Sequence, residues 1–144
     1  MSSAREVFMQ FTDALTHLDT DHARCLALFA PDAVFEFPYA PTLGLPARHE
    51  GTAQIGALLE LIRDRIPPVA VGTMVIHELK RDGELFVEYR SEGRIGGTGQ
   101  PYTQDYASYV RVENGLIRVL REYFNAISSA RAILPGGLAD VRPA

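Results

Sequence analysis

The octapeptide RVLREYFN, residues 118–125, places a carboxylic acid inside a run that otherwise has the composition of a buried strand. Alternate residues of a strand share a side, so Glu122 goes with Arg118, Leu120 and Phe124, while Ile117, Val119, Arg121 and Tyr123 take the other side. Two placements are open: Glu122 meets water on an outer face, or it points into a cavity. Between Leu120 and Phe124 in a concave site, its ionised form would lose hydration and its pKa would rise from ~4.3 toward ~6–7. A carboxyl in that range both gives and takes a proton near neutral pH. A neighbouring arginine would pull it down instead, and Arg90 is the candidate.

Two further groups of side chains could do chemistry. Phe86, Glu88, Arg90, Glu92 and Arg94 alternate onto one side of a strand, with Leu85, Val87, Tyr89 and Ser91 on the other. The charged set either assists an acid–base site or forms a solvated face laced with cross-strand ion pairs. Tyr102, Gln104, Tyr106, Ser108 and Val110 share a side of the next strand. Its polar members either hydrogen-bond a ligand carbonyl or hydroxyl, or satisfy one another. Phe35, Phe37 and Tyr39 are read as cavity wall, and Glu36 and Asp105 alternate away from it. His49 and His77 are further acid–base candidates, expected at the surface or a cavity rim. The four histidines lack metal-site spacing and Cys25 is alone, so neither a metal nor a disulfide is expected. GRIGGTG, residues 93–99, is followed by Gln100-Pro101 and a strand rather than a helix, which makes it a flexible hairpin connection and not a phosphate cradle.

The elements that must position these groups follow from periodicity. The 144 residues make one domain, 47% of them hydrophobic and 22% charged. A net charge of −4 argues against a nucleic-acid partner. No apolar run approaches a membrane span and no signal-peptide pattern opens the chain, so a cytoplasmic protein is expected. Residues 4–18 predict a helix with Val7, Phe8, Phe11, Ala14, Leu15 and Leu18 as its apolar stripe. A short second helix follows, with Cys25, Leu26, Leu28 and Phe29 inward and Pro31-Asp32 as its stop. Residues 33–39 alternate as a strand, 40–51 form a proline-rich loop, and Thr52–Ile66 form a third helix ended by Pro67-Pro68. From Val69 the period changes to two, giving four strands, at 69–79, 83–95, 102–112 and 115–124, with an Asn114-Gly115 hairpin before the last. A short helix begins near Ser128, and 135–144 are a loose tail beyond a domain of 1–134. Helices on one face of an antiparallel sheet give the α+β class.

That order, with the phrases LFAPDAVFEFPYAP, HEGTAQI, ENGLI and LREYFN, resembles the nuclear transport factor 2-like superfamily, and within it the SnoaL-like group and the PhzA/PhzB proteins. The resemblance spans roughly residues 4–134. It implies a curved sheet wrapped around three helices, a conical cavity with an apolar closed end, and a homodimer through the outer sheet face, where Ile117, Val119 and Tyr123 are apolar for a solvent surface. It points Glu122 into the cavity beside Leu120 and Phe124, and puts Gln104, Tyr106 and Ser108 on the inner side. Arg90-x-Glu92, with Glu122 some thirty residues on, is similar to the Arg-x-Asp…Asp set of limonene epoxide hydrolase, which would make Glu122 the base and Glu92 the acid bridged by Arg90. The superfamily's other catalytic sets are incomplete here: Phe37, about Phe11 and Ser108 stand at the ketosteroid isomerase positions, and Leu58 or Leu59 replaces the PhzA/PhzB histidine.

The expectation is therefore a small-molecule pocket protein without cofactor, acting on an apolar, oxygenated or polyketide-like compound by acid–base chemistry of isomerase, cyclase or hydrolase type. Glu122, Glu92 and Arg90 are the expected catalytic residues. Phe37, Tyr39, Leu58, Gln104, Tyr106, Ser108, Leu120 and Phe124 are the expected ligand contacts. The alternative is a non-catalytic binding or dimeric scaffold module of the same fold.

Overall fold

Seven strands form one sheet, and the helices pack against its concave side in a computed structural model that describes residues 1–143. Helix α1 (Ala4–Leu15) opens on a capping box: the Glu6 amide donates to Ser3 Oγ (3.2 Å) and the Ser3 amide to Glu6 Oε2 (2.7 Å). Its stripe of Val7, Phe8, Phe11, Ala14 and Leu15 is buried. Helix α2 (His22–Leu26) ends sooner than its apolar residues suggest, because Phe29 already belongs to strand β1 (Phe29–Glu36). The 40–51 loop holds a 3-10 turn (Ala40–Leu43) and a short strand β2 (Arg48–Glu50), and α3 (Gly51–Arg65) follows. The expected strand at 69–79 is two, β3 (Pro68–Val71) and β4 (Val75–Glu78), broken at Gly72-Thr73-Met74 and both paired with β5 (Glu84–Arg94). The meander closes with β6 (Pro101–Glu113) and β7 (Leu116–Phe124), joined at Asn114 and Gly115, whose φ values of 52° and 75° are those a two-residue hairpin turn requires.

The sheet order is β2-β1-β7-β6-β5-β3, and β1 lies parallel to β7, so the sheet is mixed rather than wholly antiparallel. A fourth helix, α4 (Ala126–Ile133), starts at Asn125, whose Oδ1 accepts from the amides of Ile127 and Ser128. The segment beyond α4 is tied down: Gly137–Asp140 make a 3-10 turn, and the Arg142 amide donates to the Thr42 carbonyl (2.9 Å).

The strand parity read from sequence needs one correction. The β6–β7 register runs Arg111↔Val119 and then Val112↔Ile117, so Arg118 is an extra, bulged residue. Ile117 therefore turns into the core with no exposed surface, and Arg118 turns outward to Asp32 (2.6 Å) and Glu113 (3.5 Å). From Leu120 onward the alternation holds and Glu122 faces inward. The inner layer is aromatic and aliphatic, with Phe8, Phe11, Phe29 and Phe35 in mutual contact.

Candidate functional site

Between the concave sheet and helices α3 and α4 lies a cavity of about 590 Å³, within the usual range for small-ligand sites. Leu58, Leu61, Ile62 and Ile66 line it from the α3 side, Phe35 from β1 and Phe37 from just beyond it, and Ile133 from α4. Strands β5, β6 and β7 bring Tyr89, Ser91, Tyr106, Glu122 and Phe124 to the same wall. Phe37 stacks on Phe35 and meets the edges of His49 and Phe124.

Glu122 is 6% exposed and takes one hydrogen bond, from the Tyr89 hydroxyl to Oε1 at 2.7 Å. Among the described residues Oε2 has no hydrogen-bond partner. Burial pushes the carboxyl up to about 7, and the Tyr89 hydrogen bond only partly opposes that rise. Tyr89 itself is held well above the usual phenol range, by burial first and the Glu122 charge second. Its ring stacks on Tyr106 at 4.8 Å. Tyr106 is likewise pushed up by burial and remains a neutral phenol. Its oxygen receives a long hydrogen bond from Ser91 Oγ (3.4 Å), which leaves its own O–H free to donate. His49 is pushed down by burial, so its imidazole favours the neutral form.

Gln104 is fully engaged by the protein. Its Nε2 faces Tyr102 Oη (2.6 Å), Ser129 Oγ (2.9 Å) and the Asn125 carbonyl (3.1 Å), and its Oε1 accepts from the amides of Asn125 and Asp105. It clamps the start of α4 onto β6, and its hydrogen-bonding capacity is spent there.

The cavity thus gathers Glu122, Phe37, Leu58, Gln104, Tyr106 and Phe124 of the residues expected from sequence. Five others lie elsewhere. Arg90 stands on the convex face, where it forms a two-bonded pair with Asp105, its register partner on β6 (2.8 and 3.0 Å). Glu92 is exposed on that same face. The reason is parity: Leu85, Val87, Tyr89 and Ser91 are buried, so the charged alternates must point out. Tyr39 misses the cavity because the chain leaves the strand at Pro38. It is 49% exposed and packs against Tyr123. Ser108 and Leu120 face inward but lie fully buried behind the cavity wall. His77 pairs with Glu88 on the outer face (3.1 Å).

Tyr89 is the residue that sequence reading passed over. The signal was present: Leu85, Val87 and Tyr89 form the more apolar side of an amphipathic strand, and that side faces the core. Among the described residues no three His, Cys, Asp or Glu side chains converge in a geometry that would hold a metal, and no helix is long and apolar enough to cross a membrane.

Known proteins share both the sequence pattern and this architecture. The SnoaL-like domain model matches residues 8–120. YesE, an uncharacterised protein of Bacillus subtilis, is 32% identical over 113 residues, covering 76% of this chain and 74% of that protein. An uncharacterised PhzA/B-like protein of Pseudomonas aeruginosa is 30% identical over 106 residues, with 74% of each chain covered. A Bacillus subtilis crystal structure provisionally named an isomerase superposes with a TM-score of 0.82 at 30% identity, covering 93% of both chains. A Catenulispora acidiphila protein of ketosteroid isomerase-like fold, solved with trimethylamine, superposes with a TM-score of 0.73 at 20% identity over 96% of this chain and 98% of that one. The match over most of its length makes this chain a member of the SnoaL-like family, within the nuclear transport factor 2-like fold.

Proposed function

We propose that the protein is an acid–base enzyme of isomerase or cyclase type, with Glu122 moving a proton on an apolar, oxygenated or polyketide-like compound held in the cavity. One observation carries this: Glu122 is buried in a wall of the cavity, takes a single hydrogen bond through Oε1, and has no hydrogen-bond partner at Oε2 among the described residues. A carboxyl poised near neutrality by lost hydration abstracts a proton next to a carbonyl and returns it at another atom. The Tyr106 hydroxyl is placed on the same wall to donate to the oxygen where charge develops. Tyr89 acts through Glu122 as a positioning residue. No step needs a cofactor. The two-acid, arginine-bridged route of epoxide hydrolysis is not supported, because Arg90 and Glu92 occupy the convex face. Outer-face residues Val119, Tyr109 and Tyr123 are half-buried in the single chain and are the proposed homodimer contact.

The test is proton exchange at the carbon next to a ketone. β-Tetralone in deuterated water, followed by NMR, should exchange faster with the wild-type protein, and Glu122→Gln should remove about 10²–10⁴ of that acceleration while tetralone binding persists. A Glu122→Gln protein as active as wild type would sink the catalytic role. It would favour the non-catalytic binding module, which the lack of a second carboxyl among the described cavity-lining residues already recommends as the alternative.

A further inference from the structure

At the cavity mouth one cation stands without a protein partner. Arg65 is exposed, lines the cavity, and has no carboxylate within salt-bridge distance among the described residues. Nine of the other arginines do have one, including its neighbour Arg63, which pairs with Asp64 at 2.9 Å. Arg65 occupies the last turn of α3, where a cation often serves the helix's own carbonyls. Here two of those carbonyls have other donors: the Ile66 amide donates to the Ile62 carbonyl (2.9 Å), and the Gly96 amide donates to the Arg65 carbonyl (2.6 Å). Among the described residues the Arg65 guanidinium makes no hydrogen bond to the remaining ones, so capping does not occupy it.

The surroundings of Arg65 are apolar. Leu61, one helical turn earlier, is 44% exposed, and Leu45 is 42% exposed; both line the cavity. Glu122, buried in the sheet wall, is the single carboxyl among the described lining residues, and His49 favours its neutral form. The protein as a whole carries a net charge of −4, so its overall field does not draw anions in and an anion site needs a local cation.

We infer that the substrate is an amphipathic anion, with its apolar body in the cavity and an anionic group, such as a carboxylate, held at the mouth by Arg65. The opposite orientation would set that group beside Glu122, and two carboxylates at close range in a dry site resist joint ionisation. Orientation is thus fixed at both ends: the anion stays out and the reacting carbonyl goes in toward Glu122 and Tyr106. This inference rests on the cavity being a substrate site.

Naphthylacetate and naphthylacetamide, near-isosteres that differ in charge, are the test pair, with binding measured calorimetrically at low salt. The wild-type protein should bind the carboxylate about three- to tenfold more tightly than the amide, the range for a partly exposed ion pair. Arg65→Gln should abolish that preference while leaving amide binding unchanged. Arg65→Lys should retain part of it, and raising the salt to about 0.5 M should erase it in the wild type. Equal affinity for the two probes in the wild type, or a preference that survives Arg65→Gln, overturns the inference while leaving the cavity as a ligand site. Failure of both probes to bind overturns the inference and the proposed function together.

Discussion

At Glu122 two forces oppose each other: burial disfavours the carboxylate, and the Tyr89 hydroxyl favours it. Removing the weaker force is informative. Tyr89→Phe should raise the Glu122 pKa further, by about one pH unit if the lost hydrogen bond to a charged group is worth roughly 1.5 kcal/mol. The acid-side midpoint of any pH–rate profile should move upward by the same amount. Stability carries the same signature. With the folded pKa raised from the ordinary 4.5 to about 7, the native state holds a proton that the unfolded chain releases. The associated stability is fully present below about pH 4.5 and is lost as pH rises through 7. At about 1.4 kcal/mol per pH unit the loss is of the order of 3 kcal/mol. Urea denaturation of Glu122→Gln should therefore show a stability nearly flat over this window, gaining on the wild type as pH rises; parallel curves would contradict burial of the charge. At this scale the sequence was legible where parity was unbroken. Glu122, Tyr106 and Phe124 follow from alternation, whereas Arg90 and Glu92 were drawn inward by a motif spacing that the strand's own amphipathicity contradicts. Tyr39 departs from the pattern because alternation stops at Pro38.

The elements succeed or fail as positioning devices through a few local contacts. Gln104 ties β6 to the start of α4, and α4 supplies one side of the cavity. Gln104→Leu would strip the Asn125 amide and carbonyl of their Gln104 partners, while Ser129 Oγ keeps Tyr102 Oη (2.7 Å), with a cost of about 2–3 kcal/mol and a lower thermal midpoint by calorimetry. Retention of the wild-type midpoint would show that the clamp is dispensable. The β5–β6 connection explains the glycines of GRIGGTG differently. A Cβ at Gly96 would come within 2.3 Å of the Asp64 carbonyl, and one at Gly93 within 2.8 Å of the Pro67 carbonyl. These glycines let the hairpin close on the end of α3, a requirement invisible without the tertiary contact. Helix periods, the Asn-Gly turn and the period-two meander were legible because each is local. The parallel β1–β7 pair, the break at Gly72-Thr73-Met74 and the bulge at Arg118 were not, since each is decided by a partner distant in sequence.

Across the whole molecule, α+β packing leaves a concave side with a cavity and a convex side with ion pairs and aromatic rings. The convex side carries the Glu36 carboxylate between Arg48 (2.7 Å) and Arg121 (2.6 Å), and Arg121 lies over the Tyr109 ring. If that face pairs two copies, Tyr123→Glu should convert a dimer into a monomer by light scattering while leaving the cavity intact; a monomeric wild type would contradict the pairing. The resemblance in sequence anticipated the cone and its inner and outer faces. It did not anticipate the α4 segment as a cavity wall, because nothing in Ala126–Ile133 alone says what it packs against.

The most direct measurement is an NMR titration of protein carrying carbon-13-labelled glutamate, with the Glu122 resonance assigned by its loss in Glu122→Gln. The carboxyl should titrate near pH 7, and its midpoint should shift when a ketone occupies the cavity. A midpoint near the ordinary 4.5, unmoved by ligand, would mean that the acid is solvated and that the proposed proton transfer has no poised group to perform it.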